Sequence, residues 1–200
     1  LYRVYTNHSD TQFIATIGPW LLIANIANGL WSYLFLSNYT GWSVVVLFTI
    51  LISLIVIIVK LNMQRYDAPF PILAFLWWPI SIYAGWVTVA CIANTSAYLS
   101  KVGFDTIAFT DYQFTMIMIV VAMLINLAMI KYRNMREFGL VGVWSLVAIA
   151  VKQWGSESSI AWTALVCAIV IFVAISYHAR SNQKTSPLIK FRQWKRKNLV

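Results

Sequence analysis

Long apolar stretches separated by short polar segments dominate the pattern of this chain. A helix needs roughly 20 residues to cross the hydrocarbon core of a bilayer, and most of the stretches are close to that length. The six stretches run over residues 12–36, 42–59, 70–98, 112–130, 138–151 and 159–177. The fifth is short, and it either starts earlier or extends through Lys152 and Gln153, whose long side chains reach the interface. The pattern predicts an all-α bundle with six transmembrane helices.

The composition supports the same class of protein. Hydrophobic residues make up 60% of the chain, aromatic residues 16% and charged residues 10%. Soluble domains carry about 25% charged residues. We therefore expect an integral membrane protein whose main partner is the lipid bilayer.

Basic residues lie almost entirely on one side of the six predicted spans. Of the 15 Lys and Arg residues, only Lys101 and Lys152 fall in segments on the opposite side. Cytoplasmic segments are enriched in Lys and Arg, so the arrangement predicts that both ends of this chain are cytoplasmic. A missed or an additional span would scramble the asymmetry.

The chain divides into one predicted membrane domain, residues 1–180, and a basic tail, residues 181–200. The tail carries Phe191 and Trp194 among its basic residues, a combination that also occurs in nucleic-acid-binding segments. A basic juxtamembrane segment with aromatic anchors usually lies on the anionic inner leaflet. We therefore expect a cytoplasmic tail that contacts lipid, and no nucleic-acid partner.

Reactive groups are scarce where chemistry would need them. All six acidic residues fall outside the predicted spans or at their edges, and the sequence pairs no nucleophile with a base. Cys91 and Cys167 lie inside spans and have no metal-ligand spacing. His178 lies near a membrane boundary, where a solvated histidine is more common than a metal ligand, and nothing else in the sequence supports the alternative of haem ligation by His178. We expect neither catalytic nor metal-binding residues, and hence no enzyme.

Two faces combine amide and aromatic side chains at helical spacing. The third stretch places four such positions within an arc of about 80°: Tyr83, Trp86, Ala90 and Asn94. The first stretch has a similar face with Asn25, Asn28, Trp31, Ser32 and Phe35. Amides in membrane helices often hold one helix against another, and we favour that role for Asn126. For the two faces, simple packing and an aromatic-lined cavity remain open alternatives.

These two faces resemble the TspO/MBR family, the tryptophan-rich sensory proteins or translocator proteins. The register of Tyr83, Trp86, Ala90 and Asn94 is similar to the last helix of that family. The register of Asn28, Trp31, Ser32 and Phe35 is similar to its third helix. The order of the two matched helices is also that of the family.

A longer bacterial branch of the family resembles the chain more closely. The segment 79–99 is similar to that branch, and so are Trp144, Lys152 and Gln153 in a later helix. The family's first two helices have no counterpart before Leu1, so we expect that this chain lacks about two N-terminal spans of its parent. The resemblance implies the cytoplasmic membrane of a bacterium.

By resemblance, the expected function is binding of an apolar or tetrapyrrole-type ligand in an aromatic-lined cavity, as a sensor or carrier. The candidate ligands are a porphyrin, haem, a sterol or an isoprenoid, and no cofactor is certain. The expected ligand-binding residues are Asn28, Trp31, Tyr83, Trp86 and Asn94. The alternative functions are a structural subunit of a larger membrane assembly and a transporter of small apolar molecules. The expected assembly is a homodimer or a larger membrane complex.

Overall fold

The computed structural model describes residues 11–103, 110–182 and 187–198 of the 200-residue chain. These residues form seven helices and contain no strand, which confirms the all-α fold class. The helices are α1 Thr11–Leu36, α2 Thr40–Lys60, α3 Phe70–Lys101, α4 Asp111–Arg133, α5 Arg136–Gln153, α6 Ser158–Ser181 and α7 Pro187–Asn198. The segment 1–10, which carries Arg3 and His8, lies outside the described residues.

Each of the six apolar stretches coincides with one of the helices α1 to α6. Four of these helices are long and apolar enough to cross a membrane, namely α2, α3, α4 and α6. Asparagine, tryptophan and glycine lower the mean hydropathy of helix α1. The 18 residues of α5 include the charged residues Arg136, Glu137 and Lys152. The membrane class is therefore supported by four candidate spans, and the count of six remains a prediction.

A turn of π-helix interrupts α3 near its start. Residues Leu73–Trp77 have this geometry, and the N–H of Trp78 donates to the carbonyl of Leu73, five residues earlier. Pro79 follows directly and has no N–H to give to the preceding turn. The wider turn accommodates the proline without ending the helix.

The helices pack in a chain of neighbours. Helix α1 packs on α2, and α2 packs on α3. Helix α5 then contacts α3, α4 and α6. One cluster of buried side chains joins α1, α2 and α3, and a second joins α4, α5 and α6. Phe138 of α5 belongs to the first cluster, so α5 connects the two halves.

Hydrogen bonds bring five helix termini together at one end, which we call the basic end. The side-chain N–H of Asn134 donates to the carbonyl of Gln64 at 3.1 Å, and Arg65 donates to the carbonyl of Tyr132 at 3.3 Å. His178 Nε2 lies 2.9 Å from Asn134 Oδ1. The ends of α2, α4 and α6 thus meet near the beginnings of α3 and α5, so successive helices run in opposite directions.

Glycines allow the helices around α5 to approach closely. A Cβ added to Gly85 of α3 would lie 3.0 Å from Val141 Cβ of α5. A Cβ on Gly139 of α5 would lie 2.8 Å from Ile130 Cδ1 of α4. Small residues serve this purpose in membrane helices because they let two helices approach closely.

We predict that Gly85→Val destabilises the protein by about 1–3 kcal/mol, because the new side chain pushes α5 away from α3. The measurement is thermal unfolding of the detergent-solubilised protein. The control is Gly29→Val on α1, since a Cβ at Gly29 meets no atom within 4 Å. Equal destabilisation by both variants would show that helix propensity, rather than the close contact, determines the effect.

Candidate ligand cavity

A cavity of about 650 Å³ lies between α3, α4 and α5, and α6 contributes one residue to its wall. This volume falls within the range of about 300–1,000 Å³ that is usual for small-molecule sites. Most of the lining is aliphatic, and Phe114 supplies the aromatic part. The wall from α3 consists of Val89, Ile92, Ala93, Ser96, Ala97 and Ser100.

Small side chains on α3 account for the open space. Ala93, Ser96, Ala97 and Ser100 recur at helical spacing on the side of α3 that faces α4. They cannot fill the gap that longer aliphatic residues would close. Contact between α3 and α4 is therefore sparse, while α5 packs against both helices below the gap.

The inner end of the cavity is polar. Asn126 of α4 is 1% exposed, and its Nδ2 donates to the carbonyl of Ala122 in the same helix at 2.8 Å. Its Oδ1 is buried and has no hydrogen-bond partner among the described residues. The amide packs directly over Gly142 of α5, where any Cβ would overlap it. Nearby, Ser145 donates to the carbonyl of Val141 at 2.8 Å, which leaves the serine oxygen able to accept.

The cavity extends to the end of the bundle opposite the basic end, and we call this end of the cavity its mouth. Ser100, Lys152 and Gln153 line it, and Gln153 Oε1 accepts a hydrogen bond from Ser156 at 2.7 Å. The distance along α5 from Gly142 to Gln153 is about 16 Å at 1.5 Å per residue. The site is thus an elongated apolar cleft with a buried amide oxygen at one end and an exposed ammonium group at the other.

The predicted ligand-binding residues lie elsewhere, and the structure separates them. On α3, Asn94 is buried against α2, where Ser43 shares its hydroxyl hydrogen between the carbonyl of Thr40 at 2.7 Å and Asn94 Oδ1 at 3.1 Å. Tyr83 is half-buried in the first cluster, and its buried hydroxyl has no partner among the described residues. Trp86 is 45% exposed. Asn94 thus bonds α2 rather than Asn28.

The remaining two predicted residues lie on α1, which packs on α2. Trp31 packs against the first cluster, stacks on Phe35 with 5.6 Å between ring centroids, and has a buried indole N–H without a partner among the described residues. Asn28 is exposed, and its carbonyl accepts from Ser32 at 3.2 Å. None of the five predicted residues lines the α3–α5 cavity.

Sequence reasoning missed the cavity because it concentrated on aromatic residues. The face of α3 that lines the cavity is turned by about 100° from the face with Tyr83 and Trp86. The available signals were the run of small residues from Ala93 to Ser100 and the isolated Asn126. We assigned Asn126 to helix packing, and in the structure its N–H bonds its own helix rather than a neighbour.

These features define a polytopic helical membrane protein with an internal apolar cleft. The family model described as TSPO-like protein matches residues 1–177, so the chain belongs to the TSPO-like family. The match includes all of α1 to α5 and most of α6, and it confirms the family that the two polar-aromatic faces indicated. No curated protein and no solved structure matches the chain.

We predict that Asn126→Leu leaves the stability of the detergent-solubilised protein unchanged or slightly raised. The substitution removes a buried acceptor without a partner and keeps a side chain of similar size over Gly142. In contrast, Asn94→Leu should lower stability by about 1 kcal/mol, because it breaks a hydrogen bond between helices. Thermal unfolding of both variants checks this, and a larger loss for Asn126→Leu would mean that Asn126 holds the bundle together.

Proposed function

We propose that this TSPO-like membrane protein binds an elongated apolar ligand in the α3–α5 cavity, as a sensor or carrier. The observation that supports it is the buried Oδ1 of Asn126, at the inner end of an apolar cleft, which accepts no hydrogen bond from any residue that the structure describes. A ligand that brings a hydroxyl or N–H group to this oxygen would satisfy it. The role is binding, and it requires no catalytic step.

The lining favours one class of ligand among those that the family resemblance implies. Planar tetrapyrroles gain most from stacking on aromatic rings, and the described residues that line the cavity offer one phenyl ring, that of Phe114. Aliphatic walls suit an isoprenoid or a sterol, whose contacts are non-directional. Lys152 at the mouth would pair with an acidic group on the ligand. An isoprenoid with one polar end is therefore the preferred ligand class.

The charge distribution supports an orientation for this binding role. The basic end gathers the termini that carry Lys60, Arg65, Arg133 and Arg136, which we place in the cytoplasm of a bacterial cell. The mouth of the cavity would then open near the outer face of the inner membrane. Both ends of this chain, and the tail with α7, would be cytoplasmic.

A structural role is the second candidate, and the exposed faces of α1 and α3 favour it. Asn25 and Asn28 of α1 and Trp86 of α3 are uncovered. At membrane depth, an uncovered amide lacks hydrogen-bond partners at a cost of several kcal/mol, so a further helix is expected to cover it. That helix could belong to a second copy or to another subunit of a membrane complex.

The first test separates the cavity from the predicted aromatic face. Purified protein in detergent is titrated with protoporphyrin and, separately, with geranylgeraniol. Quenching of tryptophan fluorescence reports protoporphyrin binding, and geranylgeraniol binding is followed by its competition with that quenching. Ala93→Phe fills the cavity and should weaken geranylgeraniol binding by about tenfold or more, whereas Trp86→Leu should leave it unchanged. Ala15→Phe on the exposed side of α1 is the matched control for an added phenyl ring.

Opposite behaviour would overturn the assignment of the site. Loss of binding in Trp86→Leu, with Ala93→Phe unaffected, would place the ligand on the aromatic face. Non-saturating quenching that is equal in all variants would indicate partition into detergent, and the structural role would then lead.

The second test concerns Lys152 and the polar end of the ligand. We predict that Lys152→Gln weakens binding of geranylgeranoic acid by about fivefold and leaves binding of geranylgeraniol unchanged, because only the acid carries a charge to pair. The same titrations provide the measurement, with Lys101→Gln as the control on the same end of the bundle. Equal effects on acid and alcohol would show that Lys152 acts by packing alone.

A further inference from the structure

A smaller cavity of about 220 Å³ lies at the basic end, far from the α3–α5 cavity. The loop between α2 and α3, the start of α3 and the turn between α4 and α5 form most of its wall. The end of α6 and the helix α7 complete it, with Lys190 contributed by α7. Five separate segments of the chain therefore converge on one small polar space.

Three side-chain nitrogen atoms around this cavity are buried and have no partner at hydrogen-bond distance among the described residues, namely Trp77 Nε1, Trp78 Nε1 and His178 Nδ1. Of these, the indole of Trp78 interacts with the carboxyl group of Glu137. Trp77, which lines the cavity, is 1% exposed, and its indole N–H is buried without an acceptor. An indole N–H can only donate, so its unmet need is for an acceptor. His178 also lines the cavity, and its Nδ1 is buried without a partner while its Nε2 is engaged with Asn134. Leaving the indole N–H of Trp77 unpaired costs free energy, which a bound acceptor would recover.

Among the described residues that line this cavity, the basic ones (Arg65, Arg136 and Lys190) outnumber the acidic ones (Asp67 and Glu137). Arg65 and Arg136 line the cavity, and Arg65 uses only part of its five-donor fork on the carbonyl of Tyr132. Lys190 is already neutralised by its ion pair with Asp67. Glu137 accepts from Gln64 at 3.4 Å, and burial raises its pKa, although Arg136 and the helix backbone act against this. Arg65 and Arg136 therefore supply the cationic groups at this site that are not committed to the ion pair with Asp67.

We propose that this cavity binds a phosphate group, held by Arg65, Arg136 and the indole N–H of Trp77. Guanidinium groups match the geometry of phosphate oxygens, and a phosphate offers enough acceptors for an additional N–H donor. The small volume suits a headgroup or a free phosphate rather than the body of a large ligand. The phosphate comes either from a lipid of the adjacent leaflet or from a soluble compound. This site is independent of the ligand proposed for the α3–α5 cavity.

Helix α7 is held against the bundle beside the proposed site. Lys190 donates to the carbonyl of Ala68 at 2.7 Å in addition to its ion pair, which ties α7 to the loop before α3. Phe191 and Trp194 pack on Phe70, with ring centroids 5.1 and 5.8 Å from that of Phe70. The basic tail thus packs against the bundle and forms one wall of the phosphate site.

The experiment is calorimetric titration of the full chain in phosphate-free detergent buffer with inorganic phosphate. We expect saturable binding that weakens by about tenfold or more in Arg136→Gln. The matched control is Arg180→Gln, which removes an exposed arginine of α6 outside the cavity and should leave binding unchanged. Trp77→Phe keeps an aromatic ring but deletes the N–H donor, and it should weaken binding by about fivefold. Thermal unfolding of each variant confirms that it is folded.

A second arm identifies the source of the phosphate. Dihexanoyl phosphatidic acid and inorganic phosphate are compared as ligands, with dihexanoyl phosphatidylcholine as the zwitterionic control. Tighter binding of the phosphatidic acid assigns the site to a lipid headgroup, and equal affinity assigns it to a soluble phosphate. The proposal is overturned if no ligand saturates the protein, or if Arg136→Gln and Arg180→Gln reduce binding equally, since general attraction to a basic surface would then explain it.

Discussion

The close approach of α5 to three neighbouring helices is the constraint on which the rest of this structure depends. Lipid tails are as apolar as leucine, so burying aliphatic side chains gives membrane helices little reason to associate. Gly85, Gly139 and Gly142 instead let side chains of the facing helices pack directly on the helix backbone, where many weak dispersion contacts add up. Because α5 touches both halves of the bundle, this contact fixes how far apart α3 and α4 stand. The width of the cavity therefore follows from glycines that lie mostly outside it.

Much of the fold could be predicted from the pattern of apolar residues, because a bilayer forces each spanning segment to satisfy its own backbone. All six apolar stretches are helices, and the family follows from the register of four residues on α3 and four on α1. The location of the cavity could not be predicted in the same way. It depends on which faces of α3, α4 and α5 meet. The periodicity of one sequence identifies a polar or small-residue face but does not show which helix packs against it.

Asn94 and Asn126 illustrate that limit. Both are buried amides in candidate spans, and both could serve either packing or recognition. The structure gives Asn94 a partner on the adjacent α2 and gives Asn126 a carbonyl of its own helix, with one oxygen left over. The difference arises from the facing residue: Ser43 offers a hydroxyl to Asn94, whereas Gly142 offers only space to Asn126. The sequence pattern placed Asn94 among the candidate ligand-binding residues and Asn126 in helix packing, whereas in the folded chain it is Asn94 that bonds a neighbouring helix.

The π-helical turn at Leu73–Trp77 divides α3 into two parts with different angular phase. One additional residue in a turn rotates everything before it by about 100° relative to an uninterrupted α-helix. Upstream of Pro79, the side chains of Phe70 and Trp77 thereby face α7 and the basic end, while those downstream face α2 and α5. One continuous helix thus packs against two different sets of neighbours. Losing one residue from this turn would leave α3 helical but would rotate its first residues, and the tail that packs on them, by about 100° away from their present neighbours.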